Sequence, residues 1–201
     1  PIQPPRYQVP FQYREKLSVH LKNLRRDDVI EDVDPAEPID CVLNVCISEK
    51  KTEGAIRMNI DARPHNVGAK HTKYHVPLPQ EVRHHLTGAQ VFSELDMGNG
   101  FHQVPLDKES QIVFQTHEGL HRMKRLFFGP KNSSGIFHHQ VQKAFSGLKG
   151  CTTIHDNILI FGQDIPDHNH NFHETMKRAQ EKGVTLKLGK STFCSPEVKW
   201  F

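Results

Sequence analysis

An α+β fold is predicted for this chain, with a hairpin lobe followed by an antiparallel sheet backed by two helices. Three observations point to it. Short β-rich runs bounded by Gly, Pro, Asn and Asp recur along the sequence. Apolar residues fall at helical spacing in two later segments, 135–145 and 167–182. No internal repeat organises the rest.

Composition sets the outer limits. The 201 residues, 36% hydrophobic and 24% charged, suffice for one domain or two small lobes with a real core. A formal charge of +3 permits nucleic-acid binding without requiring it, so any basic surface is local. Fifteen histidines make the charge sensitive to pH, although solvated surface histidine is the ordinary reading. The four cysteines, Cys41, Cys46, Cys151 and Cys194, form no CxxC pair, which argues against a zinc site or a disulfide framework and for a reducing, intracellular compartment. No run of about 18 apolar residues and no signal-type segment is present, so no membrane contact is expected. A chain opening on Pro1 is expected to belong to a longer one.

The elements follow in order. Residues 1–12 hold four prolines and read as an extended arm. From Tyr13 to Asp28, Leu17, Leu21 and Leu24 recur at helical spacing among Lys16, Lys22, Arg25 and Arg26, an amphipathic basic helix whose polar face is either solvated or in contact with nucleic acid. Asp34 to Asp40 is a Pro-containing acidic loop. Cys41 to Ile47 and Ala55 to Asp61 read as the strands of a hairpin whose tip carries Lys50 and Lys51, suited to phosphate. Gln80 to Leu86 reads as a short helix stopped by Thr87 and Gly88. Strands are expected at Phe101 to Leu106, Ile112 to Thr116 and Leu120 to Phe128, then a helix at Gly135 to Phe145 with Ile136, Phe137, Val141 and Phe145 inward. Thr152 to Ile154 and Ile158 to Phe161 flank the tight turn His155, Asp156, Asn157. Asp167 is the expected cap of a helix running to Lys182, stopped by Gly183, with Phe172, Met176 and Ala179 buried. Val184 to Leu188, Phe193 and Val198 to Phe201 read as short strands, with Trp200 and Phe201 in the core.

The chemistry centres on Val91 to Asp107, VFSELDMGNGFHQVPLD, which sets Asp96 at the end of an apolar run and ahead of Gly98 and Gly100. A second acidic turn presents Asp156. Two carboxylates on adjacent strand ends can hold a pair of divalent ions about 4 Å apart, which activate an attacking hydroxyl and stabilise a leaving phosphate oxygen. An oxygen-only donor set suits Mg²⁺ or Mn²⁺. Spacing alone does not separate this pair from accidental ones among 23 acidic residues. The histidines offer less. His168, His170 and His173 with His155 have weak zinc character, since His168 opens a helix where polar residues cap, and His84 with His85 and His138 with His139 read as solvated or backbone-bonded pairs.

The ordered set PFQYREKL, VIEDVD, IRMNIDAR, VFSELDMGNGFHQVPLD, HRMKRLFFGPKNSSGIF, IHDNILIFG and EKGVTLKLGKSTF followed by PEVKWF resembles the reverse transcriptases of gypsy-class long-terminal-repeat retrotransposons through almost the whole chain. The resemblance implies a right-hand polymerase fold with a fingers-like lobe over 13–90, interleaved by 108–135, and a palm-like lobe over 91–201, with no thumb and none of the parent polyprotein's ribonuclease H or integrase domains. It implies that Asp96 and Asp156 bind Mg²⁺ or Mn²⁺, and that Met97 and Gly98 lend backbone to the triphosphate pocket. Phe101 would lie under the deoxyribose and exclude a 2′-hydroxyl. Arg57 would clamp the triphosphate, Lys190 would protonate the leaving pyrophosphate, and Phe128 with Gly129 would pack against the new base pair. The implied partners are an RNA or DNA template-primer and dNTP.

Departures accompany the matches. The family's paired acids at the hairpin turn become Asp156 and Asn157, which keeps an oxygen but removes a negative charge beside the metals. Pro130 and Ser134 stand where the family has an aliphatic residue and a proline, and Ser110 to Thr116 looks shortened. The sequence thus leaves open a working RNA-directed DNA polymerase, one impaired at Asn157, a nucleic-acid-binding module without chemistry, and a structural remnant of a retrotransposon.

Overall fold

The computed structural model of the chain describes residues 8–49, 55–72, 74, 79–154 and 156–198. Its elements in order are α1 (Phe11–Arg26), β1 (Ile30–Asp32), β2 (Val42–Glu49), β3 (Ile56–Ile60), α2 (Arg63–Gly68), α3 (Pro79–His85), β4 (Val91–Asp96), β5 (Val113–Thr116), β6 (Gly119–Met123), α4 (Ser133–Phe145), β7 (Cys151–Ile154), β8 (Asn157–Gly162), α5 (Ile165–Glu181) and β9 (Thr192–Ser195). They divide into two compact units, one of residues 1–71 with 104–133 and one of residues 72–103 with 134–201. Residues 72–90, which the sequence groups with the first lobe, fall in the second unit, where Tyr74 rests on Gly135 and on the His139 ring, centroids 5.6 Å apart.

In the first unit the sheet runs β1-β6-β5-β2-β3, with β2 and β5 parallel and the other neighbours antiparallel. The predicted hairpin is β2 paired with β3, Ser48 opposite Arg57; its tip, with Lys50 and Lys51, lies outside the described residues. The leucine stripe of α1 faces the sheet: Leu17 and Leu21 are fully buried and join Leu43, Val45, Phe114 and Met123 in one core. Each such side chain contributes about 1.5–3 kcal/mol. No glycine stops α1. Asp28 takes the left-handed position at φ 54°, its amide donates to Arg25 O (3.1 Å) and the Val29 amide to Leu24 O (2.9 Å), closing a Schellman turn. Strand β1 carried no sequence signal of its own. The strand expected to run to Phe128 leaves the sheet at Met123, because Leu126 and Phe127 turn inward to bury.

The second unit is built on an antiparallel sheet, β7-β8-β4-β9, with β4 inside it. Ser93 and Leu95 of β4 are buried on the α5 side, and alternation turns Phe92, Glu94 and Asp96 to the opposite face. Several expectations need correction here. Residues 100–103 form a 3-10 turn, not a strand, since Asn99 at φ 49° redirects the chain. Helix α5 starts earlier: Asp164 is its N-cap, accepting the Asp167 amide at 2.8 Å, and Pro166 suits the first turn, while Asp167 accepts the Gln163 amide at 2.9 Å. Its buried stripe is His168, Asn171, Thr175 and Ala179, with Phe172 and Met176 only half-buried, because polar partners satisfy the inward side chains. Asn171 Nδ2 donates to Phe161 O (3.0 Å) and Thr175 Oγ1 to Asn171 O (2.8 Å). Of the two readings open for His138, solvated or backbone-bonded, its 3% exposure on the inner side of α4 removes the first. Among the described residues the late strand expected at Phe193 forms as β9, while 184–188 contributes one bridge, Leu186 to Met97; of the stretch Val198 to Phe201, all but Val198 lies outside the described residues. Trp200, Phe201 and His155 lie outside the described residues.

Candidate functional site

Asp96 ends β4 with its own amide and carbonyl and the Met97 amide all engaged. Its amide donates to Ser191 Oγ (3.2 Å), its carbonyl accepts the Lys187 amide (2.8 Å), and the Met97 amide donates to Asp156 O (3.0 Å). Ser191 Oγ donates in turn to Lys187 O at 3.1 Å. The Gly98 amide donates to Thr185 O (3.2 Å), and Gln103 closes the loop: Nε2 donates to Gly98 O (2.7 Å) and Thr185 O (2.9 Å), and Oε1 accepts the Thr185 amide (2.9 Å). A loop held at so many points presents Asp96 on a rigid support.

The β7–β8 hairpin brings the second acid to the same sheet end. Ile154 pairs with Asn157 across the turn, and Asn157 stands opposite Asp96 in the β4–β8 ladder. Asp156 is exposed and its carbonyl holds the Met97 amide, while Asn157 is half-buried and its Nδ2 donates to Glu94 Oε1 at 2.6 Å. Asp96, Asp156 and Asn157 are thus gathered at one edge. Lys190, exposed, follows in the 3-10 turn Leu188–Lys190, next to the serine that holds Asp96. Phe101 is half-buried and stacked on Phe137, ring centroids 4.8 Å apart at 20°. Gly100 permits this closeness, since a Cβ there would stand 2.7 Å from Phe137 Cζ.

The remaining predicted residues belong to the first unit. Arg57 is exposed on β3. Gly129, at φ 130°, lies against the end of β3: a Cβ would meet Ile60 O at 3.3 Å and Ala62 Cβ at 3.4 Å. Asn66 clamps the loop, donating from Nδ2 to Gly129 O (3.0 Å) and accepting the Lys131 amide at Oδ1 (2.8 Å). Phe128 beside it is 70% exposed. The basic face of α1 is partly neutralised, with Arg25 bonded to Asp32 and Glu118 at 2.9 Å each.

The donors at the sheet end are oxygen atoms, two carboxylates and a carboxamide, and the described residues contain no cluster of three or more His, Cys, Asp or Glu placed around one ion. That chemistry fits Mg²⁺ or Mn²⁺, which take one or two carboxylates and fill the remaining positions with water and phosphate oxygens. Sequence reasoning missed Glu94, Gln103, Ser191 and Asn66. Glu94 had a local signal, two residues before Asp96 on one strand face, and Gln103 a partial one, five residues after Gly98, whose carbonyl it bonds; Ser191 and Asn66 reach their site partners across long chain separations.

Residues 48–201 match the family model described as reverse transcriptase (RNA-dependent DNA polymerase). The chain belongs to the reverse transcriptase family. Among related proteins, an uncharacterised Caenorhabditis elegans protein is 28% identical over 194 residues, covering 94% of this chain and 15% of that protein. The Pol polyprotein of the Drosophila melanogaster transposon opus is 26% identical and covers 100% of this chain and 20% of its own length. The reverse transcriptase chain thus spans a fifth or less of these two relatives. Among solved structures, the foamy viral protease-reverse transcriptase in complex with double-stranded DNA superposes with a TM-score of 0.84 at 21% identity, covering 100% of this chain and 35% of that one. The same viral protein in complex with an RNA/DNA hybrid gives 0.82 at 21% identity, covering 94% and 25%. The fold is therefore the reverse-transcriptase-like α+β fold. Among the described residues no helix is long and apolar enough to cross a membrane.

Proposed function

We propose that this chain is the polymerase portion of a gypsy-class retrotransposon reverse transcriptase, with the first unit fingers-like and the second palm-like, and that it acts on an RNA or DNA template-primer and dNTP. The observation that carries the reading is the pairing of strand ends that sets Asp96 beside the Asp156 turn, joined by the Met97 amide on Asp156 O at 3.0 Å. Divalent cations bound by Asp96 and Asp156 would supply Lewis acidity to a primer 3′-hydroxyl and to the departing pyrophosphate. The protein groups do the rest. The Met97 and Gly98 amides are already held by Asp156 O and Thr185 O, so this loop shapes the triphosphate pocket rather than donating to it; Arg57 pairs with the triphosphate oxygens, and Lys190 protonates the leaving pyrophosphate. Phe101, braced by Phe137, occupies the space a 2′-hydroxyl would need. Phe128 and Gly129 pack against the nascent base pair. The complexes of the foamy viral protein with double-stranded DNA and with an RNA/DNA hybrid support nucleic acid as the partner. Four free cysteines are consistent with a reducing intracellular compartment.

Asn157 favours a second reading, a binding module that keeps its nucleic-acid contacts while the chemistry is weakened. Primer extension with Mg²⁺ and with Mn²⁺, against an Asp96→Ala control, separates the two: incorporation above the control supports the polymerase, and equal background in both removes it. A negative slope of log affinity against log salt supports nucleic-acid binding in either case.

A further inference from the structure

Beside the two acids lies a contact that neither strand pairing nor packing requires. Glu94 stands two residues before Asp96 on the same face of β4, and its direct partner is Leu159, so Asn157 reaches it along the diagonal of the β4–β8 ladder. The bond is short, 2.6 Å from Asn157 Nδ2 to Glu94 Oε1, and both side chains are part-buried. A carboxylate accepts hydrogen bonds and donates none, whereas a carboxamide donates from one edge and accepts at the other. The contact therefore decides which edge of Asn157 faces Glu94: the NH₂ turns toward it and Oδ1 away from it. An aspartate would need no such help, because its two oxygens are equivalent. An asparagine does, since a cation is bound by its oxygen and repelled by its NH₂.

We propose that Glu94 is a positioning residue, which orients the Asn157 carboxamide so that Oδ1 serves the Asp96 and Asp156 cation site. The proposal rests on the metal reading of the previous section. Glu94 and Asn157 then work as a matched pair, one partner supplying the charge and the orientation, the other the neutral oxygen. A consequence follows for reversion. Asn157→Asp alone sets two carboxylates across the 2.6 Å contact, and the gain of a ligand charge is offset by their repulsion. Neutralising Glu94 in that background removes the repulsion, so a change that weakens the natural site strengthens the reverted one.

The test is Mn²⁺ binding by the whole chain, read as free Mn²⁺ by electron paramagnetic resonance with no substrate present. Glu94→Leu, which has no acceptor, is expected to weaken binding roughly tenfold or more, as loss of groups that orient metal ligands commonly does. Glu94→Gln keeps an acceptor without the charge and retains most of the affinity. In the Asn157→Asp background the sign reverses, and both Glu94→Gln and Glu94→Leu tighten binding. Equal losses for Gln and Leu, or a loss of the same size in both backgrounds, overturn the positioning role while leaving the metal site standing. An Asp96→Ala chain that binds Mn²⁺ as tightly as the natural one overturns the metal reading and this proposal with it. Should Glu94→Leu fail to fold, the opposite signs of Glu94→Gln in the two backgrounds carry the same decision.

Discussion

Ser93 Oγ and His168 Nε2 lie 2.9 Å apart between β4 and α5, each residue 1% exposed. The same serine oxygen accepts the Cys194 amide at 3.0 Å, so one hydroxyl ties β4, α5 and β9 together three residues before Asp96. Ser93→Ala changes the volume little but leaves the buried imidazole nitrogen and the Cys194 N–H short of a partner. Such orphaned groups cost about 1–3 kcal/mol each. Urea unfolding of the variant is expected to show a midpoint well below the natural chain, and an unchanged midpoint refutes the linkage.

A second buried histidine makes the first unit sensitive to pH. His121, 1% exposed, bonds Asp32 through Nδ1 and Thr116 through Nε2, each at 2.8 Å. Burial pushes its pKa below the ordinary 6.5; the Asp32 and Glu118 carboxylates oppose that shift and Arg25 adds to it. The unfolded chain thus binds this proton more readily, so His121 costs no stability above pH 6.5 and a rising amount as the pH falls below it. For Asp32, burial pushes the carboxyl up, but bonds from Arg25 and His121 leave it below 3.8, and stability it contributes above that value is lost on further acidification. The denaturation midpoint at pH 7.5 should exceed that at pH 5.5, and His121→Gln should shrink the difference.

Gly100→Ala tests the brace under Phe101. The added methyl meets Phe137 Cζ at 2.7 Å, and Phe137 is itself 3% exposed, so the ring has little room to yield. Overpacking of this kind costs about 1–3 kcal/mol. A lower thermal midpoint is expected, and pairing the change with Phe137→Leu should recover most of it.

Phe101→Val addresses sugar selection under the proposed function. Shortening the ring opens the space a 2′-hydroxyl needs, so the preference for deoxy- over ribonucleoside triphosphate in competition binding should narrow, roughly tenfold for a steric difference of this size. An unaltered ratio places sugar discrimination elsewhere.

Ser191→Ala removes the acceptor of the Asp96 amide and the donor to Lys187 O while leaving every carboxylate in place. Mn²⁺ binding by this variant should weaken with little change in thermal midpoint, because the affected groups lie at a partly exposed strand end.

Much of the candidate site was legible before any fold was known. Asp96 at a strand end and Asp156 in a tight turn are features of short segments, and local chemistry decides them; that Asn157 stands where an acid is expected comes from the family resemblance. The capping of α5 was partly misread because Ile165 and Pro166 look apolar and irregular, yet a proline suits a first helical turn and so lets the helix begin at Asp164. The polar stripe His168, Asn171, Thr175 was misread for a different reason: hydrophobic periodicity scores side chains by type, and these residues are buried through partners supplied by Ser93, by the Phe161 carbonyl and by their own helix.

The sequence by itself determined the α+β alternation, the leucine stripe of α1, the hairpin strands and the resemblance that led to the reverse transcriptase family, since each rests on residues near one another in the chain. Tertiary structure alone decided that Asp96 and Asn157 share a register, that Ser191 and Gln103 hold the Asp96 loop, and that Glu94 faces the Asn157 amide. These are contacts between segments up to 95 residues apart, as between Asp96 and Ser191. Hydrogen-bond direction and strand register exist only once the strands have paired, and residue type in one strand carries no record of its partner in the next.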